Sequence, residues 1–469
     1  MENIKKQLSI RVPAKASVWY IASSVIARSV GALGTPIFTR LLSPEEYGLF
    51  PLYNTWLAVI GVIVTVELTG GVMYRGLQKY ENKKEEFLSS SFGLFLTFFI
   101  SFCALYFAFD GVINSITGLN TFITSLMLLQ IFANTVIAFY TARARFEYKY
   151  KSVAALNLLS ALGIPFISII FILTTSLRSE ARILGSCIML SLIAIPALYK
   201  VLKRSHVLFS MDVWKFLLKF NLPLLPHYFS MSLILRIGEI TVGKAFGTEA
   251  LGKYSVAMSV GMSLTVITNG LLSALSPWLL RKIRADQTER IRDLLLLLTK
   301  GLCALCLIML AFAPEIIDVL TPAAFHSALP AVYPLELSVI PMFLSNALLS
   351  AEMYYEKSGI CALPSVLCAA LSVALSLIVL PRVDYRFVSV FVLISYVLLT
   401  LLNALTFKRL SGELPLHVRA SLTTFGLTLA YSALLFIFRD VIMSRIILAL
   451  PLAPVLFVLG KQAWSRIRE

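Results

Sequence analysis

Long apolar segments without charge constrain this chain more than any other feature. The runs from Phe92 to Ala108 and from Val366 to Leu380 contain no charged side chain. A helix that crosses a bilayer needs about 20 mostly apolar residues. Lipid offers no hydrogen-bond partner to backbone amides, and these runs are continuous rather than alternating as in a β-barrel. The sequence therefore predicts an all-α integral membrane protein.

Reading for such runs predicts about fourteen transmembrane helices. The predicted spans are 16–38, 48–70, 88–109, 119–141, 153–174, 183–201, 217–241, 254–278, 294–313, 331–353, 361–380, 387–406, 420–438 and 445–460. The composition agrees, because 58% of the 469 residues are hydrophobic and only 14% are charged. A soluble domain is nearer half apolar and a quarter charged.

The net charge of +16 is distributed unevenly along the chain. Lys and Arg cluster in every second loop, as in Arg143, Arg145, Lys149 and Lys151. The positive-inside rule then predicts that both termini are cytoplasmic. Such clusters lie against anionic headgroups, so we expect membrane lipids, and no nucleic acid, as partners.

No sequence motif indicates chemistry on a cofactor or metal. The six cysteines fall within predicted spans, and Cys303 and Cys306 have no second pair or nearby His to complete a site. No GxxxxGK[ST] or HExxH pattern occurs, and no loop is long enough for a soluble catalytic domain. We therefore expect a transporter without cofactor or metal, and not an enzyme.

An internal repeat divides the chain. Residues 39–50 read TRLLSPEEYGLF, and residues 243–254 read GKAFGTEALGKY, at an offset of 204. A basic residue, a Glu, a Gly and an aromatic residue recur in register. Six predicted spans separate the copies, so the halves share an orientation, as in transporters with parallel repeats. The predicted domains are 1–205 and 206–410, with two additional helices and a tail in 411–469.

Three segments resemble one known family. They are FTRLLSPEEYGLF at 38–50, LPLLPH at 222–227 and EALGKYSVA at 249–257. They resemble the polysaccharide transporter family, of the O-antigen flippase type, within the multidrug/oligosaccharidyl-lipid/polysaccharide exporter superfamily. The resemblance implies two six-helix bundles around a central cavity, alternating access, and location in a bacterial inner membrane. It also suggests polysaccharide polymerase and chain-length proteins as partners.

The chain departs from the family pattern at two positions. Where the family often has Asp-Arg in the seventh span, this chain has Gly238 and Glu239, with its arginine one turn earlier at Arg236. Where related muropeptide-lipid flippases carry a second arginine in the first span, this chain has Gly34. The second departure weighs against lipid II as the substrate.

Two arginines within predicted spans are the candidate substrate ligands. Arg28 lies midway along the first span and Arg236 within the seventh. A charge at the bilayer centre costs roughly 2.5–3.5 kcal/mol on insertion scales, so each needs a reason. A guanidinium stays charged and binds phosphate oxygens bidentately, which suits a diphosphate. The alternative is that each arginine is neutralised by a carboxylate or a helix carbonyl.

Three further residues are candidates for ion coupling. Glu67 and Glu239 are the leading buried acids, and His227 can titrate near neutral pH. The alternatives are that the acids neutralise the arginines and that His227 is a structural hydrogen-bonding group. Glu336 and Glu352 lie near predicted span ends and are expected to reach water.

Two prolines form the candidate hinge. Pro223 and Pro226 stand three residues apart in the seventh span, and proline removes a backbone hydrogen bond and can kink a helix. A static kink is the alternative.

The leading interpretation is a flippase that moves an undecaprenyl-diphosphate-linked oligosaccharide from the cytoplasmic to the outer leaflet, for surface polysaccharide synthesis. A multidrug or cation antiporter of the same superfamily is one alternative, although arginines rather than acids mark the leading helices. A polysaccharide polymerase or ligase is another, although the outside loops are short.

Overall fold

The computed structural model describes residues 33–147, 149–203, 207–355 and 358–468, together with Trp19, Ser23, 26–27 and 29–31. Every regular element in these ranges is helical. Among them, eleven helices are long and apolar enough to cross a membrane, or twelve if the bent segment Met211–Gly261 plus Thr265–Ser273 is one span. The prediction of an all-α, multi-pass membrane protein is confirmed, whereas the count of fourteen stays a prediction.

The predicted first span lies mostly outside the described residues. The predicted seventh and eighth spans both fall in the bent segment, where one continuous helical stretch is broken at Gly247. The chain divides into two compact units, Met1–Phe229 (unit 1) and Ser230–Glu469 (unit 2). The domain boundaries at 205 and 410 stay predictions.

Unit 1 contains the helices α1 to α9. They are 33–41 (α1), Pro44–Thr65 (α2), Gly71–Lys79 (α3), Lys84–Ala108 (α4), Asp110–Thr117 (α5), Thr121–Phe146 (α6), Tyr150–Thr174 (α7), Arg178–Leu202 (α8) and Met211–Asn221 (α9). Helix α8 packs on α2, α6 and α7. At the centre, Gln130 accepts hydrogen bonds from Tyr53 (2.8 Å) and Ser186 (3.0 Å), which pins three helices together.

Unit 2 contains most of α10 and all later helices. They are Leu225–Gly261 (α10), Thr265–Arg284 (α11), Thr288–Ala311 (α12), Ala313–Leu320 (α13), Leu329–Glu352 (α14), Ser358–Ala374 (α15), Val388–Ser411 (α16), Val418–Ile437 (α17), Ile442–Ala449 (α18) and Leu452–Arg468 (α19). Helix α14 packs on α11, α12 and, along much of its length, α16.

The C-terminal helices are fastened to α12 and α13 by charged side chains. Arg445 of α18, which is buried, donates to Glu315 (2.5 Å from Nη2 to Oε1) and to the Ala311 carbonyl. The hydrogen bond from Arg445 lowers the pKa of Glu315 below its ordinary value. Asp293 of α12 contacts His417 (2.9 Å) and Arg466 (3.0 Å), one from each end of the additional segment. The residues after 411 are therefore part of unit 2.

The two copies of the repeat each mark the start of a helix. Ser43 caps α2 in a capping box, since its hydroxyl accepts from the Glu46 amide and the Glu46 carboxylate accepts from the Ser43 amide. At the offset of 204, Ser43 corresponds to Gly247, which breaks α10 with φ 83° and ψ 176°. This backbone region is essentially restricted to glycine. The copies therefore share a helix start and differ in how the chain turns into it.

Candidate functional site

Arg28, one of the two predicted substrate ligands, lies outside the described residues. Arg236 lies on α10 in unit 2, where its Nη1 donates to Glu239 Oε2 at 2.8 Å. The Arg236 side chain is 35% exposed and that of Glu239 is 5% exposed. Two predicted candidates are thus one ion pair, spaced three residues apart on a single helix face.

Two tyrosines flank this pair. Tyr254 lies within electrostatic reach of Glu239, and Tyr396 of α16 within reach of Arg236. Both tyrosines are fully buried, and neither hydroxyl has a hydrogen-bond partner in the described part of the chain. Two buried hydroxyls without a described partner therefore lie beside the ion pair.

Close helix packing holds the backbone of the pair in place. A Cβ added at Gly238 would lie 2.2 Å from Val388 Cγ1, at the start of α16. Only glycine allows α10 and α16 to approach this closely between Arg236 and Glu239. The glycine that departs from the family pattern thus has a packing role here.

Glu67 lies in unit 1 at a break in the predicted second span. Helix α2 ends at Thr65, and Val66 and Glu67 both adopt left-handed backbone conformations, with φ 48° and 51°. A β-branched residue in this region is strained, and such strain occurs at functional sites. Helix α3 then begins at Gly71. Discontinuous membrane helices line the substrate and ion sites of transporters.

A side chain that is distant in the sequence bonds to the backbone at this break. Asn221, at the end of α9, donates from Nδ2 to the Val66 carbonyl at 2.9 Å, and Asn221 is buried. Tyr228 lies within electrostatic reach of Glu67. No cation lies within ion-pair distance of Glu67 among the residues that the structure describes. The break therefore presents a half-buried carboxylate on a strained turn.

The hinge candidates lie at the junction of α9 and α10. Pro223 is in a short 3₁₀ turn, Leu222–Leu224, and Pro226 is in the first turn of α10. Proline at a helix start costs little, because the missing amide would be unbonded there. His227, which follows, is buried, and its ring lies 5.6 Å from that of Tyr228. The hinge and ion-coupling roles stay predictions.

The expectation that Glu336 and Glu352 reach water is wrong. Glu336 is 1% exposed and Glu352 is 0% exposed. The apolar helical segment begins at Ala323 rather than near 331, which places Glu336 well inside it. Oε1 of Glu336 has no hydrogen-bond partner among the described residues, and Glu352 lies beside the Cys361 thiol.

Sequence reasoning missed three parts of the site. Nothing in the residue types indicates that Val66 is left-handed or that Asn221 bonds to its carbonyl. The burial of Tyr254 was signalled only by its place in the repeat.

No group of three or more His, Cys, Asp or Glu side chains able to hold a metal ion occurs in the described ranges.

Comparisons with known proteins agree with this architecture. A family model described as "Polysaccharide biosynthesis protein" matches residues 37–330. No curated protein matches the chain. The lipid II flippase MurJ, in an inward closed conformation, is similar in fold, with a TM-score of 0.67 and 14% identity, covering 96% of this chain and 100% of that one.

Two further solved structures have the same fold. An inward-facing MATE-family multidrug resistance transporter of the MOP superfamily has a TM-score of 0.62 and 13% identity, covering 87% of this chain and 95% of that one. A MOP-superfamily transporter from Pyrococcus furiosus Vc1, described as having a binding pocket of reversed polarity, has a TM-score of 0.58 and 14% identity, covering 90% and 96%. The fold is that of MOP-superfamily transporters.

Proposed function

The chain belongs to the polysaccharide biosynthesis protein family, and from this premise we propose that it is a flippase for a lipid-linked oligosaccharide. Its substrate is an undecaprenyl-diphosphate-linked repeat unit, which it moves from the cytoplasmic to the outer leaflet by alternating access. The protein works in a bacterial inner membrane with both termini in the cytoplasm. It binds its substrate without converting it chemically.

The Arg236 guanidinium is the observation that carries the proposal. Glu239 accepts one hydrogen bond from Nη1, and no other acceptor for Arg236 occurs among the described residues. The side chain is about a third exposed, so its remaining donors are open to a ligand. A diphosphate accepts such donors bidentately. Arg28 is proposed as the second phosphate ligand.

Glu239 and Glu67 are proposed to couple transport to an ion gradient. A carboxylate that alternates between Arg236 and a cation or proton would link substrate release to ion binding. His227 is a proposed third member of this set. Pro223 and Pro226 are proposed as the hinge, since their junction joins α9 to α10 without a regular helical hydrogen-bond ladder.

The proposed partners follow from a role in surface polysaccharide synthesis. The flipped oligosaccharide would be used by a polysaccharide polymerase and chain-length proteins, for O-antigen or a similar surface polymer. Membrane lipids surround the apolar faces.

The first experiment measures the lipid-linked oligosaccharide pool, and its leaflet, in cells that lack the protein. We expect accumulation on the cytoplasmic face and loss of surface polysaccharide. A normal pool with normal surface polymer would contradict the flippase proposal.

The second experiment returns variants to these cells. Arg28→Ala and Arg236→Ala should abolish transport while membrane abundance stays near normal, and Arg236→Lys should restore only part of it, because an ammonium lacks the bidentate fork. Lys300→Ala is the matched control, since Lys300 is an exposed cation within α12. Full activity of Arg236→Ala would remove Arg236 from the substrate site.

The antiporter alternative has one observation in its favour. Glu336 and Glu352 are buried carboxylates in unit 2, and a cation exporter needs acids in its apolar interior. Cells that lack the protein would then become sensitive to cationic compounds while their surface polysaccharide stays normal.

A further inference from the structure

A cavity of about 480 Å³ opens in unit 1 where α6 and α8 end and α7 begins. Four cationic side chains and one carboxylate line it, together with two tyrosines. The charge distribution predicts that this end of the helices faces the cytoplasm. None of these residues belongs to the proposed transport site, so binding in this cavity can be tested separately from transport.

The single carboxylate of the lining is already paired. Glu147 accepts from Arg143 Nε at 2.9 Å and contacts Lys149 Nζ at 2.5 Å. Arg143 also donates from Nη1 to Glu85 at 2.7 Å. Burial raises the pKa of Glu147, but hydrogen bonds from Lys149 and Arg143 outweigh burial and hold that pKa below its ordinary value. This cluster is therefore satisfied internally and forms one wall of the cavity.

Two lysines at the end of α8 also line the cavity and have no acidic partners among the described residues. Lys200 Nζ lies 5.3 Å above the Tyr140 ring, and Lys203 Nζ lies 5.2 Å above the Tyr199 ring. Neither lysine has a carboxylate within ion-pair distance among the residues that the structure describes. The tyrosine faces hold the ammonium groups in the cavity by cation–π attraction and leave their three N–H donors for a ligand.

An exposed apolar surface runs from the cavity along both helices. On α8, Leu192, Ile195 and Tyr199 are exposed at spacings of three and four, and Lys203 continues the same face. On α7, which packs against α8, the exposed residues are Leu159, Leu162 and Phe166. A ligand with its anionic group at the lysines would lay an apolar chain on this surface.

We propose that this cavity binds the phosphate group of a membrane lipid. The lysines neutralise the phosphate, the tyrosines lie at the level of the headgroups, and the exposed faces of α7 and α8 receive the hydrocarbon chains. A phospholipid headgroup and a polyprenyl diphosphate offer the same chemistry. The apolar surface favours either of them over a soluble phosphate.

The test is native mass spectrometry of the full chain with phosphatidylglycerol and with phosphatidylcholine. The double variant Lys200→Gln with Lys203→Gln should retain roughly tenfold to thirtyfold less phosphatidylglycerol than the wild type, at about 1 kcal/mol for each lysine near a membrane surface. The matched control is Lys215→Gln with Lys219→Gln, which removes the same charge from α9 on the same predicted side. The control should stay within about twofold of the wild type.

Each outcome bears on the proposal. Equal losses in both double variants, or equal retention of the two lipids by the wild type, would overturn it, because either shows a general basic surface. Lys200→Arg with Lys203→Arg should keep binding, which separates charge from folding. Displacement of phosphatidylglycerol by polyprenyl diphosphate supports the diphosphate as occupant, and resistance to displacement supports the phospholipid.

Discussion

The two units turn the chain at equivalent places, but they hold the turns by different contacts. In unit 1, Arg178 and Arg182 from the start of α8 hold the corner formed by residues 38–50. Arg178 Nε contacts Glu46 at 2.5 Å, and its Nη2 donates to the Leu41 carbonyl. The Arg182 guanidinium lies 4.0 to 4.9 Å from the ring centres of Phe38, Tyr47 and Phe50.

Unit 2 carries the same charges at the same offset but uses them locally. Residues 178–182 read RSEAR, and residues 382–386, displaced by 204, read RVDYR. Arg386 bonds Asp384 with both Nε (2.7 Å) and Nη2 (2.8 Å), and Arg382 donates to the Ile378 carbonyl of its own turn. Neither arginine bonds to residues 243–254 in the described contacts.

The helix that follows each corner is also broken in both units. In unit 1, Asn221, 155 residues later in the chain, caps the break at Val66. In unit 2, the turn after Gly261 is closed by local bonds, such as Ser263 N to the Val260 carbonyl at 3.1 Å. The break in unit 1 therefore has a distant side-chain partner in addition to local backbone bonds such as Leu68 N to the Thr65 carbonyl at 3.0 Å, whereas local bonds close the turn in unit 2.

The sequence of the second copy explains the difference. The partners Phe38, Tyr47 and Glu46 of unit 1 become Val242, Leu251 and Ala250. Phe50 keeps an aromatic counterpart in Tyr254, but three of the four side chains that hold Arg178 and Arg182 in unit 1 have no equivalent in unit 2. The second copy thus keeps the arginines but not most of the side chains that they contact in the first copy.

The largest expected effect tests the aromatic cage that Phe38, Tyr47 and Phe50 form around Arg182. Arg182→Ala should lower the free energy of unfolding by about 3 kcal/mol, since three ring contacts are lost at roughly 1 kcal/mol each. Arg386→Ala, its equivalent, should cost less than about 1 kcal/mol, because its ion pair is exposed. Thermal unfolding of the purified variants in detergent measures both. Equal losses would show that the two corners are fastened alike.

A reciprocal exchange at the corner comes next. Gly247→Ser should cost about 2 kcal/mol, because a side chain is strained at φ 83° and ψ 176°. Ser43→Gly should cost only a few tenths of a kcal/mol, since glycine is an acceptable N-cap. The same unfolding assay applies, and a costly Ser43→Gly with a neutral Gly247→Ser would reverse our interpretation of the corner.

The third prediction concerns the two breaks. Asn221→Ala should cost about 1–2 kcal/mol, because it leaves the Val66 carbonyl buried without its partner. Ser263→Ala in the unit 2 turn should change stability by less than about 0.5 kcal/mol, because its hydroxyl is buried without a partner in the described structure. Limited proteolysis at each break, beside thermal unfolding, measures local opening. A stable Asn221→Ala would leave the first break without its distant cap.

Much of the fold follows from the sequence, since apolar length and charge alternation report directly on lipid contact. Arg236 and Glu239 were also readable, because three residues in a helix place them on one face. The burial of Glu336 was not, because it depends on where a helix begins and on what packs around it. The partners of Arg178 and Asn221 were equally hidden, because a side chain's spacing does not reveal contacts made more than a hundred residues away.

The smallest expected effect is a pH dependence at the second pair of arginines. The hydrogen bond from Arg386 holds the pKa of Asp384 below its ordinary 3.8. The pair therefore adds stability above pH 3.8, and this is lost as the pH falls through the lower, folded value. Asp384→Asn should cost a few tenths of a kcal/mol at pH 7 and nothing in stronger acid. A difference that persists at about pH 2 would place its origin elsewhere than in this ion pair.

The aromatic cage around Arg182 has a consequence for how the protein is made. Glu46 leaves the ribosome 132 residues before Arg178, and the three rings precede Arg182 by a similar distance. When α8 enters the membrane, the side chains that its arginines contact have already been synthesised. They can offset the cost of inserting those arginines once the first hairpin is in the membrane. The equivalent arginines of unit 2 have partners close in the sequence, Ile378 for Arg382 and Asp384 for Arg386, so this corner can be integrated without waiting for an earlier segment.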